Sequence, residues 1–163
     1  MTNRSNYLAC GALLALLAAP APAQEMDMKH EMAASPVPAA AKDLRTVIVL
    51  TAAERAVVLQ EMRDMLGGTQ AVVAGLANDD MKAVASGARP QGMHVMHGVP
   101  ASLRARLPMG FKQMGMAMHT DFDQIALDAE SLGDPRHTLK QMDALLQKCV
   151  ACHSTYRIDP AVK

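Results

Sequence analysis

Along the body of the chain, apolar residues recur at alternating steps near four and three, the pattern of helices with one buried face. The first such run carries Val58, Met62, Met65, Val72 and Leu76, with Thr69 in the seam. It opens at Thr51, followed three residues later by Glu54. That is a capping box, in which each side chain satisfies the other residue's backbone amide. Gly67-Gly68 falls inside this helix, at about 1 kcal/mol per glycine relative to alanine. The pair therefore marks close approach of another helix or of a bound cofactor. Asn78 or Asp79 caps a second helix, which ends near Arg89 because Pro90 and Gly92 follow.

Residues 90–108 read as a long connection. A third helix, from about Met109, places Phe111, Met114, Met118, Phe122, Ile125, Ala129 and Leu132 on one face. The fourth opens at Asp134-Pro135, a capping residue followed by proline at the first helical position. Its stripe runs Leu139, Met142, Leu145 or Leu146, and Cys149. Strand-type alternation and hairpin dipeptides are missing. The expectation is an all-α fold, an antiparallel four-helix bundle with one longer crossover.

The segment before this body is different in kind. Asn3-Arg4-Ser5-Asn6 is a short polar start, residues 7–19 are almost wholly apolar, and Ala21-Pro22-Ala23 supplies small residues at cleavage spacing. Residues 1–23 read as a cleaved secretory signal peptide, too short for a membrane span, with an uncleaved anchor as the alternative. Cys10 precedes most of the apolar run, which argues against lipid attachment there. Residues 24–43 are a Met/Ala/Pro-rich segment with little periodicity, expected to be a mobile arm. Residues 44–163 form the expected domain. Loss of Arg4 leaves 15 Lys+Arg against 16 Asp+Glu, a balance that points to neither nucleic acid nor an anionic membrane surface.

Processing also leaves two cysteines, and both stand in Cys149-Val150-Ala151-Cys152-His153. This is the Cys-x-x-Cys-His pattern of covalent haem c attachment. Two thiols one helical turn apart each add to a vinyl group of the haem. The adjoining His153 then turns its imidazole to the iron as proximal ligand. A redox dithiol and a zinc site share the cysteine pair. The first wants a βαβ setting and the second a fourth ligand, and neither is visible. In bacteria such haem is attached outside the cytoplasmic membrane, so the expected address is the periplasm. Only Phe111, Phe122 and Tyr156 remain as aromatic residues, and a flat apolar cofactor would suit so ring-poor a core.

The ending Cys149-Val150-Ala151-Cys152-His153-Ser154-Thr155-Tyr156-Arg157, on the last of four helices, resembles the class II cytochromes c, the cytochrome c′ family. The resemblance spans roughly residues 44–158. It implies a haem lying in the bundle, held by helix four and covered by helix one. Met62 matches the position of the family's distal residue, which implies the low-spin, methionine-ligated branch. Met65 or an open distal face are the alternatives. His119 would be a surface or helix-packing residue. Where members often carry an arginine one turn before the distal residue this chain has Val58, flanked by Arg55 and Arg63. Helix one is thus assigned no propionate partner. Arg157 is placed either to contact a propionate or to sit solvated at a helix end, favourable with the dipole.

The reading that follows is not enzymatic, since a peroxidase would need a distal base and helix one has no histidine. It is a one-electron carrier meeting redox partner proteins, with a five-coordinate NO- or CO-binding protein as the alternative. The family implies homodimers through helices one and two. A further expectation concerns Met26-Asp27-Met28-Lys29-His30-Glu31-Met32 and Met93-His94-Val95-Met96-His97. Thioether and imidazole donors suit weak Cu(I) binding and a copper-handling role. His137 reads as a solvated surface residue.

Overall fold

The computed structural model describes residues 42–160. The expected signal peptide, nearly all of the arm, and the Met/His segment 26–32 lie outside the described residues. The chain is mostly helical: α1 (Ala52–Ala77), α2 (Met81–Ala88), α3 (Ala101–Arg106), α4 (Met109–Ser131) and α5 (Pro135–Thr155). Two strands, β1 (Thr46–Leu50) and β2 (Tyr156–Pro160), complete it. No helix among the described residues is long and apolar enough to cross a membrane.

Local signals set the ends of the long helices. Thr51 and Glu54 form the reciprocal capping box of α1. Asp134 accepts from the amides of Arg136 and His137 at the start of α5, with Pro135 at the first position. Gly133, at φ 62°, turns the chain out of α4. The second helix starts later than expected. Asp80 caps α2 by accepting from Ala83 N, Asp79 takes a left-handed φ of 53°, and Asn78 closes α1 by donating to the Ala74 carbonyl. The connection of residues 90–108 is not irregular either. It holds 3-10 turns at Arg89–Gln91 and Met93–Gly98, and then α3.

The strands correct the purely helical expectation. Thr46-Val-Ile-Val-Leu50 is a β-branched run with Ile48 and Leu50 buried and Val47 and Val49 exposed. It pairs in parallel with the residues that follow the Cys-x-x-Cys-His motif, in register from Thr46↔Tyr156 to Leu50↔Pro160. The chain before α1 and the chain after α5 are thereby tied side by side.

α1 packs on α2, α2 on α4, and α4 on α5, whereas α1 and α5 make little backbone contact with each other. The first three contacts enclose a core of small and medium residues around Val72, Val84, Phe122, Ile125, Met142 and Leu145. Gly68 is the close approach expected of its pair, meeting the Gln91 side chain and the Gly87 carbonyl, while Gly67 meets nothing. A second cluster, Ile48, Leu50, Val58, Val99 and Leu103, lies beneath the strands and α3. Two predicted core residues point outward, Leu132 and Leu139 at 60% and 56% exposed, and of the alternatives Leu145 and Leu146 the first is buried and the second 43% exposed. Leu132 stands past the end of α4. On α5 the buried line is Thr138, Met142, Leu145 and Cys152, so Leu139 and Leu146 each fall one residue, about 100° of helix, off it.

Candidate cofactor site

The last turn of α5 brings Cys149, Cys152 and His153 together because residues three and four apart share a helix face. Cys152 is buried, Cys149 half-buried, and both are free thiols. Burial pushes both thiols above their ordinary range, and the charge of Asp121 adds to this at Cys149. A redox dithiol needs the opposite shift, toward thiolate at neutral pH. Among the described residues no three His, Cys, Asp or Glu side chains are arranged to hold a metal ion, so the zinc reading finds no ligand set there.

His153 and Cys152 border a cavity of about 330 Å³ whose far side is α1, through Arg55, Leu59 and Met62. Phe111 of α4 and Tyr156 of β2 close one end, their rings edge to face with centroids 5.6 Å apart. The cavity occupies the seam where α1 and α5 stay apart. Met62 also borders a second, smaller cavity of about 40 Å³, together with Met65, Met118 and Cys152. Met65 borders only this smaller space and does not share the cavity of His153.

The larger cavity is rich in cations. Arg45, Arg55 and Arg157 border it, as do Asp43 and Asp159. Arg157 Nη1 holds Asp159 at 2.6 and 2.7 Å. Arg45 holds Asp43, whose carboxyl drops to about 2 chiefly through that hydrogen bond. Arg45 Nη1 also donates to the His153 carbonyl at 3.4 Å. The Nε atoms of Arg55 and Arg157 are buried and have no hydrogen-bond partner among the described residues. Arg157 Nε approaches Asp43 only to 3.7 Å. Buried guanidinium N–H groups without acceptors are places where a water or an anionic ligand can accept. A c-type haem fits this donor set: two thiols, an imidazole, a facing thioether, and arginines for its propionates.

Arg55 is the cavity-lining residue that the sequence reading passed over. It stands seven residues before Met62, two helical turns, which returns it to the same face within about 20°. Arg63, its fellow candidate, is exposed and bonds Gln60. Val58 belongs to the second core cluster.

The remaining candidates separate. His119 is fully buried and packs helices, and is not a surface residue: its Nε2 meets Glu61 Oε1 at 2.8 Å and its Nδ1 the Gln91 carbonyl at 2.6 Å. His137 is half-buried and bonds Asp128 Oδ2 at 3.0 Å. The segment 93–97 does not converge on one point. His94 and His97 face solvent, while Met96 packs against the second core cluster. Comparison with protein-family models, curated proteins and solved structures found no match for the chain.

Proposed function

We propose that this protein is a periplasmic mono-haem c-type cytochrome that carries single electrons between partner proteins. The observation behind the reading is that Cys152, His153 and Met62, from opposite ends of the domain, border one cavity with two arginines whose Nε atoms have no hydrogen-bond partner among the described residues. In this reading α1, α2, α4 and α5 form an antiparallel four-helix bundle of the cytochrome c′ type, with the haem in the seam between α1 and α5.

Cys149 and Cys152 would hold the group covalently, and His153 and Met62 would be its iron ligands, the thioether favouring the reduced form. Arg55 and Arg157 neutralise the propionates. Leu59, Phe111 and Tyr156 keep water from the ring. The haem supplies one-electron iron chemistry, for which the protein provides no general acid or base. Gas binding is the second reading, favoured by the small void beside Met62, which has room for a diatomic molecule if the thioether swings away.

An optical spectrum of periplasmically expressed protein, oxidised and reduced, with and without carbon monoxide, tests the assignment. Sharp reduced bands indifferent to carbon monoxide are expected. Broad high-spin bands that shift with the gas would transfer the assignment to gas binding, and a colourless protein would end both readings.

A further inference from the structure

The 40 Å³ void beside Met62 is lined by four sulfur-bearing residues from three helices: Met62 and Met65 of α1, Met118 of α4 and Cys152 of α5. Outside this lining, Cys149 Sγ lies 3.8 Å from Met118 Sδ. Methionine is ordinary core filler, and Met142 plays that part in this chain. Met65 and Met62 also pack against the two core clusters, yet three methionines and a cysteine line one space here, and it has room for an occupant about the size of one water. The remaining lining is Val58, Phe111, Gly115 and Glu61.

Charge narrows the occupant. Glu61 is the carboxylate of the lining, and it is engaged by His119. Cys152 is then the lining group left to balance a bound ion, and it becomes an anion only by giving up its proton as the metal binds. One thiolate neutralises a monovalent cation and leaves a divalent one with uncompensated charge in a buried place. Thiolate and thioether donors together select Cu(I) among biological metals.

We propose that the haem-free chain binds one Cu(I) ion in this void, through the Cys152 thiolate and the thioethers of Met62, Met65 and Met118. Four copper–sulfur bonds form, the S–H bond of Cys152 breaks, and its proton leaves to solvent. Copper remains Cu(I) throughout and no electron moves. The copper and haem states exclude each other, because attachment of haem consumes the Cys152 thiol. A copper-loaded chain is therefore one withheld from haem attachment. Copper binding rests on the sulfur-bearing residues alone, and only the exclusion of haem rests on the function proposed above.

The experiment titrates the mature, haem-free chain with Cu(I) held by a competing chelator, alongside a Met65→Leu, Met118→Leu variant and Cys152→Ser. Leucine preserves volume at both methionines, and circular dichroism checks that each variant is folded. The parent is expected to take up one ion that both variants hold more weakly, by more than about tenfold. The parent's melting temperature should rise with copper, as for any ligand confined to the native state. X-ray absorption should find a shell of sulfur alone. Equal affinity in parent and folded variants would place copper in the Met/His segments and overturn the site, as would a nitrogen-rich shell. Equally tight uptake by haem-loaded protein would overturn the exclusion. A chain that takes no haem in the periplasm sinks the cytochrome assignment and leaves the copper titration intact, so the two failures are told apart.

Discussion

His119 Nε2 lies 2.8 Å from Glu61 Oε1, and the pair joins α4 to α1 one residue before Met62. The other ring nitrogen faces the Gln91 carbonyl. Both nitrogens meet acceptors, an arrangement that favours the doubly protonated ring. Burial opposes its charge, but the hydrogen bonds it donates to Glu61 and the Gln91 carbonyl, aided by the charges of Glu61 and Asp123, raise the ring above its ordinary value. The arrangement locks the rotation of α1 where it presents Met62.

Stability should therefore depend on pH through this ring. Its folded-state affinity for the proton exceeds that of the unfolded chain, so the stabilisation is complete below about pH 6.5. It is lost as pH rises through the raised folded value. Urea midpoints of the parent should fall between about pH 6 and 9, and His119→Gln should flatten that slope. The variant should also cost about 2–4 kcal/mol at acidic pH, below the top of the range for a severed buried pair because water still reaches Glu61. A parent midpoint indifferent to pH would show that the ring is neutral.

Met62→Ala removes the methionine that lines one cavity with His153. In the haem-loaded protein the expected result is a change from low to high spin and new reactivity toward carbon monoxide, with Cys149 and Cys152 still attached. Met65→Ala, outside that cavity, should leave the spectrum unchanged. If the two variants exchange these outcomes, Met65 is the ligand.

The parts of this protein that were legible in the sequence are those coded by neighbours in the chain. Thr51 with Glu54, Asp134 with Pro135, and Cys149 with Cys152 and His153 each act within one or two helical turns, so spacing alone reveals them. The β1–β2 pair could not be read that way. Its two strands flank the domain, and the run Thr46–Leu50 is too short to name a partner. α3 was hidden for the same reason, a six-residue helix between Pro100 and Pro108 with little room for periodicity. His119 and Glu61 both carry polar labels on otherwise apolar faces. Only the packing of α1 against the turn after α2 and against α4 discloses that they satisfy each other. Arg55 was within reach, since its heptad spacing from Met62 is a sequence signal.

Arg55 and Arg157 bring positive charge to the cavity wall. A cation near a haem disfavours the extra positive charge of the oxidised iron. Arg55→Gln should therefore lower the midpoint potential of the loaded protein by about 30 mV, roughly 0.7 kcal/mol for one electron. Arg63→Gln is the control, because Arg63 is exposed and bonded to Gln60. Equal shifts in the two variants, read by spectroelectrochemical titration, would remove the propionate role from Arg55.

The glycines of α1 divide by what surrounds them, and the division predicts opposite signs for one substitution. A methyl at Gly75 would stand 2.7 Å from Val84 N and 2.8 Å from its Cγ2. The obstacle is backbone and a β-branched side chain, neither of which can swing away. Gly75→Ala must push α2 off α1, at about 1–3 kcal/mol, which exceeds the helix-propensity gain of about 1 kcal/mol. At Gly67 nothing lies within 4 Å of the added methyl. The same exchange there keeps the whole propensity gain and should stabilise by about 0.5–1 kcal/mol. Thermal unfolding of the two variants decides it. Gly67→Ala should melt above the parent and Gly75→Ala below it, and a lowered midpoint for Gly67→Ala would mean that a surface bare among the described residues is covered in the working protein.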